Sequence, residues 1–469
     1  MFKKDLFSGG ISSLLISIFS ILKSVFLIRV FGLSNSLDAY YLGISIFQVL
    51  SINVIRYFLL SMQPNIIGRN NIFRANYFLL SFSFTIFINL FIYFASELVL
   101  GLFTENINIK NEIFDNFNLF LILSFVNTFF VIFNTYLNTI ISIRLSLLFD
   151  FIISFLLFVS ILVSGGDIYL FLLLNISSFL FLILIEIIII YRRAPFRVVF
   201  IRDNEWFTQI FKNFKNYMIS FSVNIISSIF EKNILTNSYS AGDLSVYNTA
   251  SKGVSPFTSL LSNQSVLLVS YAKKPILESK KLLRYHLSNI SAISIFIIVL
   301  VHFGIELSKP IIINILDVSE FNADQIIDTF KFLSFSVFSS VLFSSISKFL
   351  SAFNYTNYLL RMNLIIGIQF IILLYLFKNT GLMGVIYAIC INSYLAVLYS
   401  MFFLKKVINI NIFNLLRTYK SNIFAIVLFS VLALMYLSNQ SIYLINFIRL
   451  ITLFSILLIL KKSINSSYE

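Results

Sequence analysis

IRVFGLSNSLDAYYLGISIF, residues 28–47, decides the fold of this chain. An apolar run closes with Arg29, the segment 32–37 is too short to be more than a turn, and Asp38 opens a second apolar run. Two stretches that each reach the roughly 20 residues needed to cross a hydrocarbon layer, joined by so short a turn, form an antiparallel pair of spans. The pattern returns at residues 235–254, LTNSYSAGDLSVYNTASKGV, where Ser245-Val246-Tyr247 falls opposite Asp38-Ala39-Tyr40. Paired hairpins of this kind, one in each half, are the mark of a repeat with its working region between the copies.

The remaining sequence extends this plan. Of 469 residues, 59% are hydrophobic and 12% charged, outside the range of soluble globular chains. About 14 spans can be laid out with the 20-residue ruler, near residues 9–31, 39–62, 76–103, 117–142, 146–165, 168–190, 217–237, 245–269, 287–305, 330–353, 362–377, 382–404, 421–437 and 443–460. The predicted fold is therefore all-α and polytopic, with two six-helix bundles related by a pseudo-twofold axis and a C-terminal helix pair. Residues 1–190 form the first bundle, 191–216 a basic cytoplasmic linker holding Trp206, and 217–404 the second bundle. Residues 405–469 supply the peripheral pair and a tail.

Charge sets the orientation, because Lys and Arg near span ends remain cytoplasmic. Roughly 23 of the 34 basic residues fall in alternate segments, including Lys3, Lys4, Arg69, Arg74, 192–215, 273–284, 405–420, Lys461 and Lys462. The opposite segments carry Glu105, Glu112, Asp115, Asp167, Asp317, Glu320, Asp324 and Asp328. Both termini are expected in the cytoplasm. The net charge of +14 is dispersed over many loops and gives no nucleic-acid-binding face.

Several chemistries find no support. A single cysteine, Cys390, and two histidines, His286 and His302, leave no metal cluster, cofactor site or intramolecular disulfide to assemble. There is no Walker-type phosphate loop, no paired carboxylates and no triad spacing, so no catalytic residues are assigned and an enzyme is not expected. A membrane glycosyltransferase would need a catalytic cluster on a sizeable loop, which the sequence does not offer.

Four spans carry polar stripes at helical spacing. Span 1 has Ser13, Ser17, Ser20 and Ser24 with Lys23 at the edge; span 2 has Tyr41, Ser45, Gln48 and Arg56. Span 7 has Ser220, Asn224, Ser227, Ser228 and Glu231 with Lys232 at the margin; span 8 has Asn248, Ser251, Lys252, Ser255, Ser259 and Ser262. Serines alone are explained by close helix packing. A basic residue at the bilayer centre costs at least about 2.5–3.5 kcal/mol, so one retained there marks a polar cavity or a partner. Turned inward, the four faces enclose a wet, cationic cleft suited to an anion. Arg29, Lys331 and Lys348 stand near span ends, where snorkelling suffices, and Asp150, Glu97 and Glu186 read as lone acids.

The run 28–47 followed by Pro64 resembles the opening of the lipid II flippases (MviN/MurJ group) and their Wzx-type polysaccharide-exporter relatives, in which a G-x-x-x-x-x-D-A-[FY] turn joins the first two spans. GDLSVYNTASKGVSP, residues 242–256, is similar to the segment entering span 8 of that family, and ISKFLSAFNYTNYLLRMNLI and GLMGVIYAICINS resemble its spans 10 and 12. The resemblance implies the MOP (MATE-like) superfamily fold and translocation of a lipid-linked glycan by alternating access. It maps cavity cations to Lys23, Arg29 and Lys252 and the outer-turn aspartate to Asp38. Span 2 departs from the lipid II pattern in offering Arg56 in place of paired arginines and a glutamate, and Ser255 stands where an acid is usual.

These expectations combine into one reading. The chain is a multi-pass flippase of the bacterial cytoplasmic membrane, moving a polyprenyl-diphosphate-linked O-antigen, capsule or other surface glycan. The substrate-binding residues are Lys23, Arg29, Gln48, Arg56, Asn224, Lys232, Asn248 and Lys252, and the gate is Asp38, Tyr40, Asp243 and Tyr247. A coupling ion, H⁺ or Na⁺, is allowed for. The alternatives are a lipid II flippase and a cation-coupled multidrug exporter of the same fold.

Overall fold

Apolar runs become helices here with few interruptions, and most interruptions have a local cause. The computed structural model describes residues 2–66, 71–193, 204–237, 242–261, 278–279, 283, 287, 309–353 and 355–408. Helix α1 (Phe2–Phe31) stops at Gly32, whose φ of 68° is open to glycine and lets its N–H donate to Ile28 O at 2.7 Å. Ser34 then caps α2 (Asn35–Phe47), its hydroxyl oxygen accepting from Leu37 N at 3.3 Å. One π turn, Gln48–Ile52, separates α2 from α3 (Asn53–Ile66), and such wide turns are frequent at functional positions.

The first half continues with α4 (Asn71–Phe94), α5 (Ser96–Phe103), α6 (Ile107–Asp115), α7 (Phe117–Tyr136), α8 (Ile143–Ser164) and α9 (Ile168–Arg193). A second π turn, Leu137–Ile141, extends α7, and Asp167 caps α9 by accepting from Tyr169 N at 2.8 Å. The second half holds α10 (Asn204–Thr236), α11 (Asp243–Leu261), α12 (Lys309–Leu316), α13 (Glu320–Ala352), α14 (Thr356–Phe377) and α15 (Gly381–Ile408). Every regular element among the described residues is helical.

Packing sorts these helices into two groups. In one, α8 lies between α1 and α9, α9 packs on α7, α7 on α4, and α4 on α3. In the other, α13 lies between α11 and α15, and α14 joins α15 to α10. The groups meet along two seams, α1 against α11 and α3 against α10. Because α10 is the repeat counterpart of α1, and α11 of the α2–α3 span, a pseudo-twofold axis exchanges the two seams.

Some sequence expectations shift. The span expected at 76–103 is α4 and α5, broken at Ala95 (φ −100°, ψ 17°) with no proline or glycine to announce it. The span expected from residue 330 begins at Glu320, since Glu320, Asp324 and Asp328 recur at helical spacing and carry α13 past the apolar segment. Lys331, expected to snorkel, is consequently about three turns inside α13, 5% exposed and 3.7 Å from Asp328. Helices α9 and α10 take up most of 191–216, leaving 194–203 between them. That segment, most of 287–305, and the pair expected at 421–437 and 443–460 lie outside the described residues.

Seven stretches among the described residues are long and apolar enough to cross a membrane by length and composition. The seam helices α10 and α11 carry Asn, Ser, Glu and Lys among their apolar residues.

Candidate functional site between the two bundles

Three ammonium groups converge at the α1/α11 seam. Lys23 stands about 12 Å below the end of α1, and Lys252 about 14 Å below the start of α11, at 1.5 Å per residue. Lys252 is exposed and within electrostatic reach of both Lys23 and Lys232. Lys232 of α10 is buried, paired with Glu231 Oε1 at 3.0 Å, with its Nζ 4.7 Å from the Tyr247 ring centroid. Lys23 Nζ has rings in place of a counter-ion, 5.9 Å from the Tyr40 centroid and 5.8 Å from Phe171. Neither Lys23 nor Lys252 has a carboxylate partner among the described residues. Among the described residues, the one ion pair within this lysine group is that of Lys232 with Glu231.

The α11 backbone adapts just below Lys252. Pro256 has no N–H for the Lys252 carbonyl, and Ser255 Oγ donates to that oxygen instead, at 2.9 Å. An interior proline is tolerated in an apolar medium only when its orphaned acceptor is taken up in this way.

The turns between the paired helices are clasped to one another. Asp38 Oδ2 accepts from Gly242 N at 2.9 Å, and Oδ1 accepts from Ser245 N at 2.8 Å and from Ser245 Oγ. The carboxylate thus occupies the N-terminus of α11, where free N–H groups and the helix dipole favour an anion. Gly242 is required by the approach: its φ is 97°, and a Cβ there would stand 2.9 Å from Leu33 Cβ. Two more bonds reinforce this end, Thr236 Oγ1 to Phe103 O at 3.3 Å and Glu105 N to Asn237 Oδ1 at 3.1 Å. Asp38, Tyr40 and Asp243 are buried.

At the opposite end the α3/α10 seam is aromatic. Tyr57 lies 4.9 Å from Phe221 and 6.1 Å from Tyr217 between ring centroids, and Phe214 lies 5.1 Å from Phe58 and 5.4 Å from Phe84.

The structure groups Lys23, Tyr40, Lys232, Tyr247 and Lys252. Arg29 is exposed in the last turn of α1, away from the three lysines. Arg56 stands about 30 Å along its span from Asn35 at 1.5 Å per residue, facing Asp150 and not the lysines. Gln48 and Asn224 are exposed at intermediate depth, with Asn224 beside Tyr57. Asn248 Nδ2 donates to Leu244 O at 2.9 Å.

Of the stripe serines, the side chains of Ser13, Ser220, Ser259 and Ser262 lie outside the described residues, and three of the others are packed away from the cleft. Ser17, Ser24 and Ser227 are buried, and the hydroxyls of Ser24 and Ser227 donate to their own helices at Ser20 O and Asn224 O. Sequence reasoning did not find the N–H donors of Gly242 and Ser245 or the Phe171 ring beneath Lys23. A Gly-Asp pair opening a helix was the available signal for the first; nothing local signals the second.

No protein-family model matches the sequence, and no curated protein matches it. Solved structures do. A lipid II flippase MurJ in an inward closed conformation aligns with a TM-score of 0.71 at 19% identity, covering 98% of this chain and 98% of that one. An inward-facing multidrug resistance MATE transporter of the MOP superfamily aligns with 0.66 at 15% identity, over 84% of this chain and 97% of its own. A MOP superfamily transporter from Pyrococcus furiosus Vc1, described as having a binding pocket of reverse polarity that suggests a different function, aligns with 0.63 at 15%, over 86% and 95%.

Proposed function

We propose that this chain, which has the fold of the MOP superfamily, is a flippase that carries a polyprenyl-diphosphate-linked surface glycan across a bacterial cytoplasmic membrane. The observation that carries this reading is the cation excess of Lys23, Lys232 and Lys252 against Glu231 alone. A diphosphate headgroup with about two negative charges supplies the missing counter-charge through charge-assisted hydrogen bonds. Gln48, Asn224 and Asn248 offer amides to sugar hydroxyls, and the polyprenyl tail stays in the lipid.

With the acidic turns outside and both termini in the cytoplasm, the Asp38 clasp is an outer gate in its closed state. Loading takes place from the cytoplasmic end, and the bundles rock about the seams to release the glycan outside. The residues move and bind; none of them transforms the substrate.

A lipid II substrate is favoured by the likeness to the MurJ structure, and opposed by Ser255 and the single Arg56 at positions where the lipid II pattern differs. A cationic drug is disfavoured because three lysines repel it. The test is flipping of labelled lipid-linked glycans by the full chain in proteoliposomes. The Lys23→Glu, Lys252→Glu double variant should lose on the order of 100-fold or more in rate, since each reversal turns a contact worth about 1.5–3 kcal/mol into repulsion. Undiminished flipping by correctly inserted double variant overturns the reading, and a preference for lipid II over surface-glycan lipids selects the second substrate.

A further inference from the structure

Inside the first bundle, away from the lysines, Glu186 of α9 is 0% exposed and neither carboxylate oxygen has a hydrogen-bond partner. Helix α9 packs against α7, α8 and the π turn after α7. The one titratable group that acts on Glu186 from these elements is Asp150 of α8. Asp150 accepts from Asn134 Nδ2 of α7 at 2.7 Å and is within electrostatic reach of Arg56 on α3, without a direct ion pair. Arg56 is exposed beside Tyr57 at the α3/α10 seam. At 1.5 Å per residue, Arg56 stands about 30 Å along its span from Asn35, and Asn134, Asp150 and Glu186 about 20–27 Å from Phe117, Ser164 and Ile168 at the ends of their own helices.

An ionised Glu186 in this position would lose its water and gain no donor, at a cost of several kcal/mol. Asn134 donates to Asp150, which also feels the charge of Arg56, and among the described residues no side chain donates to Glu186. An ionisable group kept in an apolar helix without a partner calls for a function, and a proton is the ligand that removes the penalty without needing space. We propose that Asp150 and Glu186 form a proton-binding pair in the first bundle, whose occupancy is passed to the seam through Arg56. With one proton on Glu186, Asp150 as carboxylate balances Arg56. A second proton, taken up on an Asp150 oxygen, cancels that balance and frees the guanidinium for an anion at the seam. No other bond is made or broken. That this uptake drives substrate movement rests on the flippase reading; that the pair binds protons does not.

Infrared difference spectroscopy on the purified full chain in lipid nanodiscs, stepped in pH and without substrate, tests the pair directly. The wild type should show a protonated-carboxyl band that Glu186→Gln removes and Asp150→Asn shifts, while Arg56→Gln should displace the pH at which the Asp150 band appears. A protonated-carboxyl spectrum left unchanged by Glu186→Gln overturns the proposal. Asp150→Asn provides the second check if Glu186→Gln fails to fold, and a Glu186 band unmoved in that variant equally overturns it. Failure of flipping in the lysine variants would leave these bands in place, so the two readings fail separately.

Discussion

The two ends of the interface between the bundles are held by different chemistry. At the turns, one carboxylate, Asp38, meets three donors in a single geometry. At the opposite end, Tyr57, Phe58 and Phe84 meet Phe214, Tyr217 and Phe221 through rings 4.9 to 6.1 Å apart at mixed inclinations. Hydrogen bonds to an ionised group contribute about 1.5–3 kcal/mol each and weaken steeply with misalignment. Ring pairs contribute about 0.5–1.5 kcal/mol beyond their buried area and accept several arrangements. In the flippase reading, the turn end suits a contact that is either made or broken, and the ring end one that stays in contact while it slides.

The largest departure should come from Asp38→Ala, which abolishes all three bonds and shifts the closed turn end by about 4 kcal/mol or more. Cysteines at Glu105 and Asn237 in a Cys390→Ser background report it, because Glu105 N lies 3.1 Å from Asn237 Oδ1. Their crosslinking rate should fall by roughly 700-fold or more at about 1.4 kcal/mol per decade. Tyr57→Ala removes ring contacts worth about 1 kcal/mol at the other end and should change that rate by less than about fivefold. If Tyr57→Ala opens the turns as far as Asp38→Ala does, the contrast between latch and bearing is lost. Ser245→Ala deletes the hydroxyl and keeps the two N–H donors, so it should cost one of the three bonds, about 1.5 kcal/mol, and open the turns less than Asp38→Ala does. A Ser245→Ala effect equal to that of Asp38→Ala would place the latch in the hydroxyl and not in the helix terminus.

Much of this architecture was legible from residues 28–47 and 235–254, because a short turn between two apolar runs has few solutions in a membrane. The break at Ala95 was not, since no proline or glycine stands there to signal it; α5 beyond it packs beside α10. The early start of α13 escaped an apolar ruler because its first turns are acidic, although Glu320, Asp324 and Asp328 kept helical spacing. In the candidate site, Lys23, Lys232 and Lys252 could be proposed as cleft residues because cations in apolar helices are costly. Their mutual approach could not, as it depends on how the bundles meet. Arg56 carried the same sequence signal as the lysines and lies elsewhere, opposite Asp150. Glu186 could be read only as a lone acid, for solitude inside a bundle is a property of its neighbours.

Two of the three partners of Asp38 are main-chain N–H groups, those of Gly242 and Ser245. Short of proline, no substitution at Ser245 deletes its main-chain donor, whereas a side chain at Gly242 would displace the turn against Leu33 and any loss of the Asp38 carboxylate removes the latch. A small inhibitor that offered its own carboxylate to these two N–H groups would displace Asp38 and prop the turns apart. Resistance to such a compound would have to arise by reshaping the surrounding turn, a much narrower route than replacing a contacting side chain.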